Sequence, residues 1–124
     1  MSSGLDIRNL HQESKEVGKT IKSSKKYFNW EFNIDSKFYK VEMFHSKISG
    51  KKKLILDKKI LTEAKSYSND FIYSFKIDKH YLNVDQIGSD NFVLRIDNRS
   101  FTVIQTEEKL KSKAEAKESS VKPR

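Results

Sequence analysis

Between residues 27 and 104 apolar and polar side chains alternate with period two, as in strands that bury one face. Over residues 27–34 the apolar set is Phe28, Trp30, Phe32 and Ile34, separated by Tyr27, Asn29, Glu31 and Asn33. Over 39–45 Tyr39, Val41, Met43 and His45 share one face, and Lys40, Glu42 and Phe44 the other. Residues 46–50 break this alternation with a glycine available for positive φ, and Lys51-Lys52-Lys53 then leads into Leu54-Ile55-Leu56. Further faces are Phe71, Tyr73, Phe75 and Ile77; Leu82 and Val84; and Phe92, Leu94 and Ile96. A short strand over 59–64 and a closing strand over 101–104 complete the set.

Four turns recur between these runs: Ile34-Asp35-Ser36-Lys37, Leu56-Asp57-Lys58-Lys59, Ile77-Asp78-Lys79-His80 and Ile96-Asp97-Asn98-Arg99. Each places an aspartate, which can bond backbone two residues on, between an aliphatic residue and, one position later, a basic one. The aspartates are 22, 21 and 19 residues apart. The pattern predicts an all-β fold: an antiparallel β-sandwich of about eight short strands in four serial hairpins, with polar, mostly extended or partly helical termini.

All fourteen aromatic residues of the 124-residue chain lie within 27–104. The flanks lack the large apolar groups that repay ordering, so 1–26 and 105–124 read as tails around a 27–104 domain. In the first tail Ile7, Leu10, Val17 and Ile21 follow the 3-4 spacing of one helix stripe, a candidate for docking on a partner. In the second, Thr106-Glu107-Glu108 has the form of a helix start.

The formal net charge is +8, and each of the three parts is net positive. Such a chain associates with polyanions in general, whether acidic protein surfaces, nucleic acid or acidic lipid. Without cysteine it has no disulfides, no thiolate zinc site and no cysteine nucleophile. No apolar run approaches the length of a transmembrane helix, and the N-terminus has no signal-peptide core, so the expectation is a cytoplasmic protein.

Catalytic and metal-binding motifs are not found. Ser49-Gly50-Lys51-Lys52 has the end of a phosphate-binding loop but neither its first glycine nor its Ser/Thr. His11, His45 and His80 lie at no metal-ligand spacing. The expectation is a protein without enzymatic activity, cofactor or metal. The candidate interaction residues are the basic hairpin and its neighbours: Lys47, Ser49, Gly50, Lys51, Lys52, Lys53, Lys58 and Lys59. Strand alternation splits Lys52 from Lys51 and Lys53, and a basic edge also keeps a β-domain from pairing with other chains. With Tyr39 and Phe44 nearby, stacking of single-stranded nucleic acid is an alternative use of the same residues.

Trp30-x-Phe32, Tyr39-Lys40-Val41-Glu42, His45-x-x-x-Ser49-Gly50-Lys51-Lys52 and Leu56-Asp57-x-Lys59 together resemble the Fas apoptotic inhibitory molecule family, over residues 28–104. The glycine of that family's Asp-Gly-Lys turns is replaced here by Ser36, Lys58, Lys79 and Asn98, and familiar members carry two such domains. The resemblance implies a non-enzymatic β-sandwich acting through protein contacts. Two versions of such a module are expected: a soluble adaptor related to that family, or, on the basic charge of both tails, a structural component docked by its tails and hairpin on a large acidic assembly such as a microtubule-based or ciliary scaffold.

Overall fold

The computed structural model describes residues 7–121. Among the described residues nine strands form two antiparallel sheets. Strands β1 (Ile7–Glu16), β2 (Lys25–Ile34), β3 (Lys37–Ser46), β4 (Lys51–Leu56) and β5 (Lys59–Lys65) make a five-stranded meander in chain order. Strands β6 (Ile72–Ile77), β7 (His80–Ile87), β8 (Asn91–Ile96) and β9 (Arg99–Ser100) make a four-stranded one. One helix, α1 (Phe101–Val121), follows. The expected all-β sandwich is therefore what the chain forms.

The two sheets face each other through the predicted alternating positions. Phe28, Trp30, Phe32 and Ile34 of β2 and Val41 and Met43 of β3 are buried against Leu82 and Val84 of β7 and Phe92, Leu94 and Ile96 of β8. Phe92 is the aromatic hub, meeting Phe28 edge-on at 5.4 Å and Phe71 at 5.9 Å. Edge-to-face contact is the favoured geometry for such ring pairs.

All four predicted aspartate turns close hairpins: β2–β3, β4–β5, β6–β7 and β8–β9. Their two-residue loops twist with the strands only when the central residues turn left-handed. Asp35 and Ser36, Asp57 and Lys58, and Asp97 and Asn98 accordingly have φ between +48° and +74°, and Asp78 has +57°. Asp57 and Asp97 also tie each turn to a third strand. The Asp57 carboxylate accepts from the Lys40 N–H at 2.9 Å, and that of Asp97 from the Tyr81 N–H at 2.9 Å. The Asp97 carboxylate lies 2.6 Å from Nδ1 of the buried His80. Burial alone would raise Asp97, but the His80 and Tyr81 hydrogen bonds outweigh it and hold it below the usual carboxylate range.

Both flanks depart from the expected tails. Residues 7–16 form an edge strand along β2, in register from Ile7 opposite Ile34 to Glu16 opposite Lys26, with a bulge between Arg8 and His11. The 3-4 spacing of Ile7, Leu10, Val17 and Ile21 is thus not a helix stripe. Ile7 is in the core, Leu10 packs on it, Val17 is half-buried and Ile21 is exposed. Pairing with β2 and burial of Ile7 stabilise this segment as a strand, where a lone polar helix of this length would be marginal in water. At the other end, residues 101–104 open α1 rather than forming a closing strand. Ser100 Oγ caps it by accepting from the Val103 N–H at 3.2 Å, ahead of the expected cap at Thr106. One turn of helix puts Phe101 and Ile104 on the same side, and both are buried. Gln105 then donates to the Leu10 carbonyl at 3.0 Å, so α1 covers the β1 edge. Residues 1–6 and 122–124 of the expected tails lie outside the described residues.

Candidate interaction site

In alternating meanders every second connection falls at the same end, and four gather at one end of the sandwich. They are the β3–β4 loop (46–50), the β5–β6 segment (66–71), the β7–β8 turn (88–90) and the β1–β2 connection (17–24). The first two are bound to each other. The Ser66 N–H donates to the Gly50 carbonyl at 2.9 Å, and the Tyr67 hydroxyl to the Ile48 carbonyl at 2.7 Å. Gly50 has φ +75°, and a Cβ there would lie 3.1 Å from the Ser66 carbonyl oxygen, so both the backbone angle and the close approach favour glycine. Within the loop the Ser49 N–H donates to Ser46 Oγ and the Lys51 N–H to Ser49 Oγ. The Lys47 N–H reaches across to the Ser24 carbonyl at 2.8 Å. The loop is therefore held in one shape, and it projects Ile48, 69% exposed, beside Tyr67, 70% exposed.

Between the sheets at this end lies an open polar cleft of about 240 Å³, lined among others by His45, Lys47, Ser68, Asn69 and Gln86. Asp90 binds its basic rim, 3.2 Å from Lys47 Nζ and 3.5 Å from Lys26 Nζ. His45 is buried against the Phe92 ring, with Nδ1 making no hydrogen bond and lying 3.9 Å from Asp90. Burial first, and then the charge of Lys52, lowers its pKa, so the ring is held neutral.

The structure separates the predicted basic residues. Lys47, Ser49, Gly50 and Lys51 are at the loop end. Lys52 is 1% exposed on the inner face, its ammonium donating to the Ser68 carbonyl at 2.7 Å, and burial lowers its pKa. It supports the 66–71 segment and presents no charge to a partner. Lys53 lies on the outer face over the Phe44 ring at 5.7 Å, in a row where Tyr27 meets Phe44 at 4.8 Å and Lys15 covers Tyr27. Lys58 and Lys59 occupy the β4–β5 turn at the opposite end. Tyr39 lies against Phe32 toward the core, and Phe44 lies on the outer face beside Tyr27 and Lys53, so the two aromatics are on opposite faces of the sheet. Sequence reading missed Ile48 and Tyr67, which stand in loops without periodicity. Their sole signal was being large apolar residues among turn formers.

Among the described residues no helix is long and apolar enough to cross a membrane, and no cluster of His, Cys, Asp and Glu has the form of a metal site. Comparison with protein-family models, curated proteins and solved structures finds no match.

Proposed function

We propose that this chain is a non-enzymatic protein-interaction module that binds an acidic protein surface through its loop end. The observation that carries this reading is the pair Ile48 and Tyr67, both exposed on loops fixed by backbone and hydroxyl hydrogen bonds, with Lys47, paired to Asp90, and Lys51, paired to Glu63, at the same end. An aromatic and an aliphatic anchor on a rigid surface within a basic rim is the composition of a binding hot spot, with little ordering entropy left to lose. The resemblance to the Fas apoptotic inhibitory molecule family points to the same class of work.

Of the two versions, the adaptor is the better supported. Ile7 is in the core and Gln105 bonds β1, so β1 and the start of α1 belong to the domain and are not free docking arms. The partner then meets the sandwich itself, in a cytoplasmic or cytoskeletal setting.

The test is capture of crosslinked partners from native lysate by the full chain and its variants. Ile48→Ala with Tyr67→Phe removes the aliphatic anchor and the hydroxyl, and Ile48→Ala with Tyr67→Ala both anchors, without touching the core; recovery is expected to fall sharply in the second, with a melting temperature lowered no more than in the first, which loses the same Tyr67–Ile48 hydrogen bond. Lys58→Ala, at the far end, is expected to recover the same partners as the parent. Equal recovery by all four proteins contradicts the reading.

A further inference from the structure

A sheet has two edges, and an unprotected edge is a template for another strand. Among the described residues, three of the four edges are blocked. β1 carries a bulge, and its Leu10 carbonyl is taken by Gln105 of α1. β5 also faces a register irregularity, and it carries Lys59, Glu63 and Lys65. β9 has two residues and runs straight into the helix. β6 is the exception: Ile72-Tyr73-Ser74-Phe75-Lys76-Ile77 pairs with β7 in unbroken register and carries a single charge.

The direction of its free groups follows from the hairpin. Ile77 and His80 close a two-residue turn, and the Gln86 N–H donates to the Phe71 carbonyl at 2.8 Å. Residues 71, 73, 75 and 77 therefore point their backbone groups at β7, and Ile72, Ser74 and Lys76 point theirs outward. All three are exposed. The outward set is symmetric about Ser74.

We propose that β6 is a self-association edge, occupied by β6 of a second copy of this chain in antiparallel register about a two-fold axis at Ser74. Ser74 then pairs with its own copy and Ile72 with the second Lys76. That makes three pairs, each exchanging two backbone hydrogen bonds. Every group left free on β6 is satisfied, and the two four-stranded sheets become one. Tyr73 falls opposite the second copy's Phe75, extending the inner aromatic row in which these rings already lie 6.2 Å apart.

Charge permits this register. Each Lys76 lies against an isoleucine, and the two ammonium groups are four residues apart along the strands, about 13 Å, beyond a Debye length of about 8 Å in physiological salt. The remaining opposition is the net charge of +8 on each copy, which salt screens. Self-association must therefore tighten as salt rises, whereas an acidic peptide on the same edge must weaken. The proposal is independent of the loop-end reading, since β6 contributes no residue to that surface.

The experiment is sedimentation equilibrium of the full chain from micromolar to near-millimolar concentration, at low and high salt. The expected result is a monomer–dimer equilibrium shifted toward dimer by salt. Ser74→Lys, at an exposed position, puts two like charges together on the axis and is expected to abolish the dimer. Ser74→Pro removes an outward N–H while leaving the β7 bonds intact, and should do the same. Melting curves confirm that both variants fold. A monomer throughout overturns the proposal, as does a dimer that survives both variants. A monomer that takes up an acidic strand peptide, less tightly in salt, assigns the edge to a different partner and overturns it too.

Discussion

Single residues here carry conformational strain that another residue would avoid. Lys58 sits at φ +72° in the β4–β5 turn, exposed, with a Cβ that the left-handed region disfavours. Lys58→Gly is expected to stabilise the fold by about 0.5–1 kcal/mol, the relief of strain less the entropy of glycine in the unfolded chain. Chemical denaturation reads this as a higher midpoint at unchanged slope. His45 gives a pH signature. Its folded pKa is lowered by burial and by Lys52, with Lys47 and Lys26 adding to that and Asp90 opposing it. The unfolded chain therefore takes up a proton near pH 6.5 that the fold refuses. Stability is full above that pH and falls on acidification, by at most about 1.4 kcal/mol per pH unit for one proton. Asp97 titrates lower, below the ordinary carboxylate range, so the two windows separate. His45→Gln should flatten the melting temperature between pH 6.5 and 5 relative to the parent; an identical slope would place the histidine's proton elsewhere.

At the scale of elements, legibility followed local signal. The hairpins were readable because alternation and turn chemistry agree: Asp35, Asp57, Asp78 and Asp97 each end an apolar face and begin a turn. β1 was not, because it is a mostly polar edge strand whose apolar burial rests on Ile7 and Leu10, and its bulge at Asn9, φ +55°, breaks the period. Phe-Thr-Val-Ile at 101–104 has strand-like composition, and its helix follows from the Ser100 cap and from the space over β1, which no local pattern encodes. Of the candidate site, the loop with Lys47 and Gly50 was legible. Its pairing with Tyr67 was not, because it depends on how β5 returns to β6. A fragment of residues 27–104 lacks Ile7, all of β1 and most of α1. It is expected to melt well below the full chain or to fail to fold, since losing a core isoleucine alone costs about 2–5 kcal/mol. A fragment with the parent's melting temperature and exchange protection would show that the flanks are dispensable after all.

The whole molecule divides its labour between ends and sides. One side is closed by α1 across β1, the other leaves β6 open, one end carries tight aspartate turns and the other gathers four connections around a polar cleft. Basic charge is spread over this surface, but apolar anchors and lysines coincide at the loop end. That coincidence is the central claim, and lysine footprinting tests it most directly. The full chain would be labelled with an amine-reactive reagent alone and in native lysate, and the modified sites quantified. The account predicts that Lys47 and Lys51 lose reactivity in lysate, that Lys58 and Lys59 keep theirs, and that buried Lys52 reacts in neither. Protection of Lys58 and Lys59 with Lys47 and Lys51 unchanged would place the partner at the opposite end and contradict it.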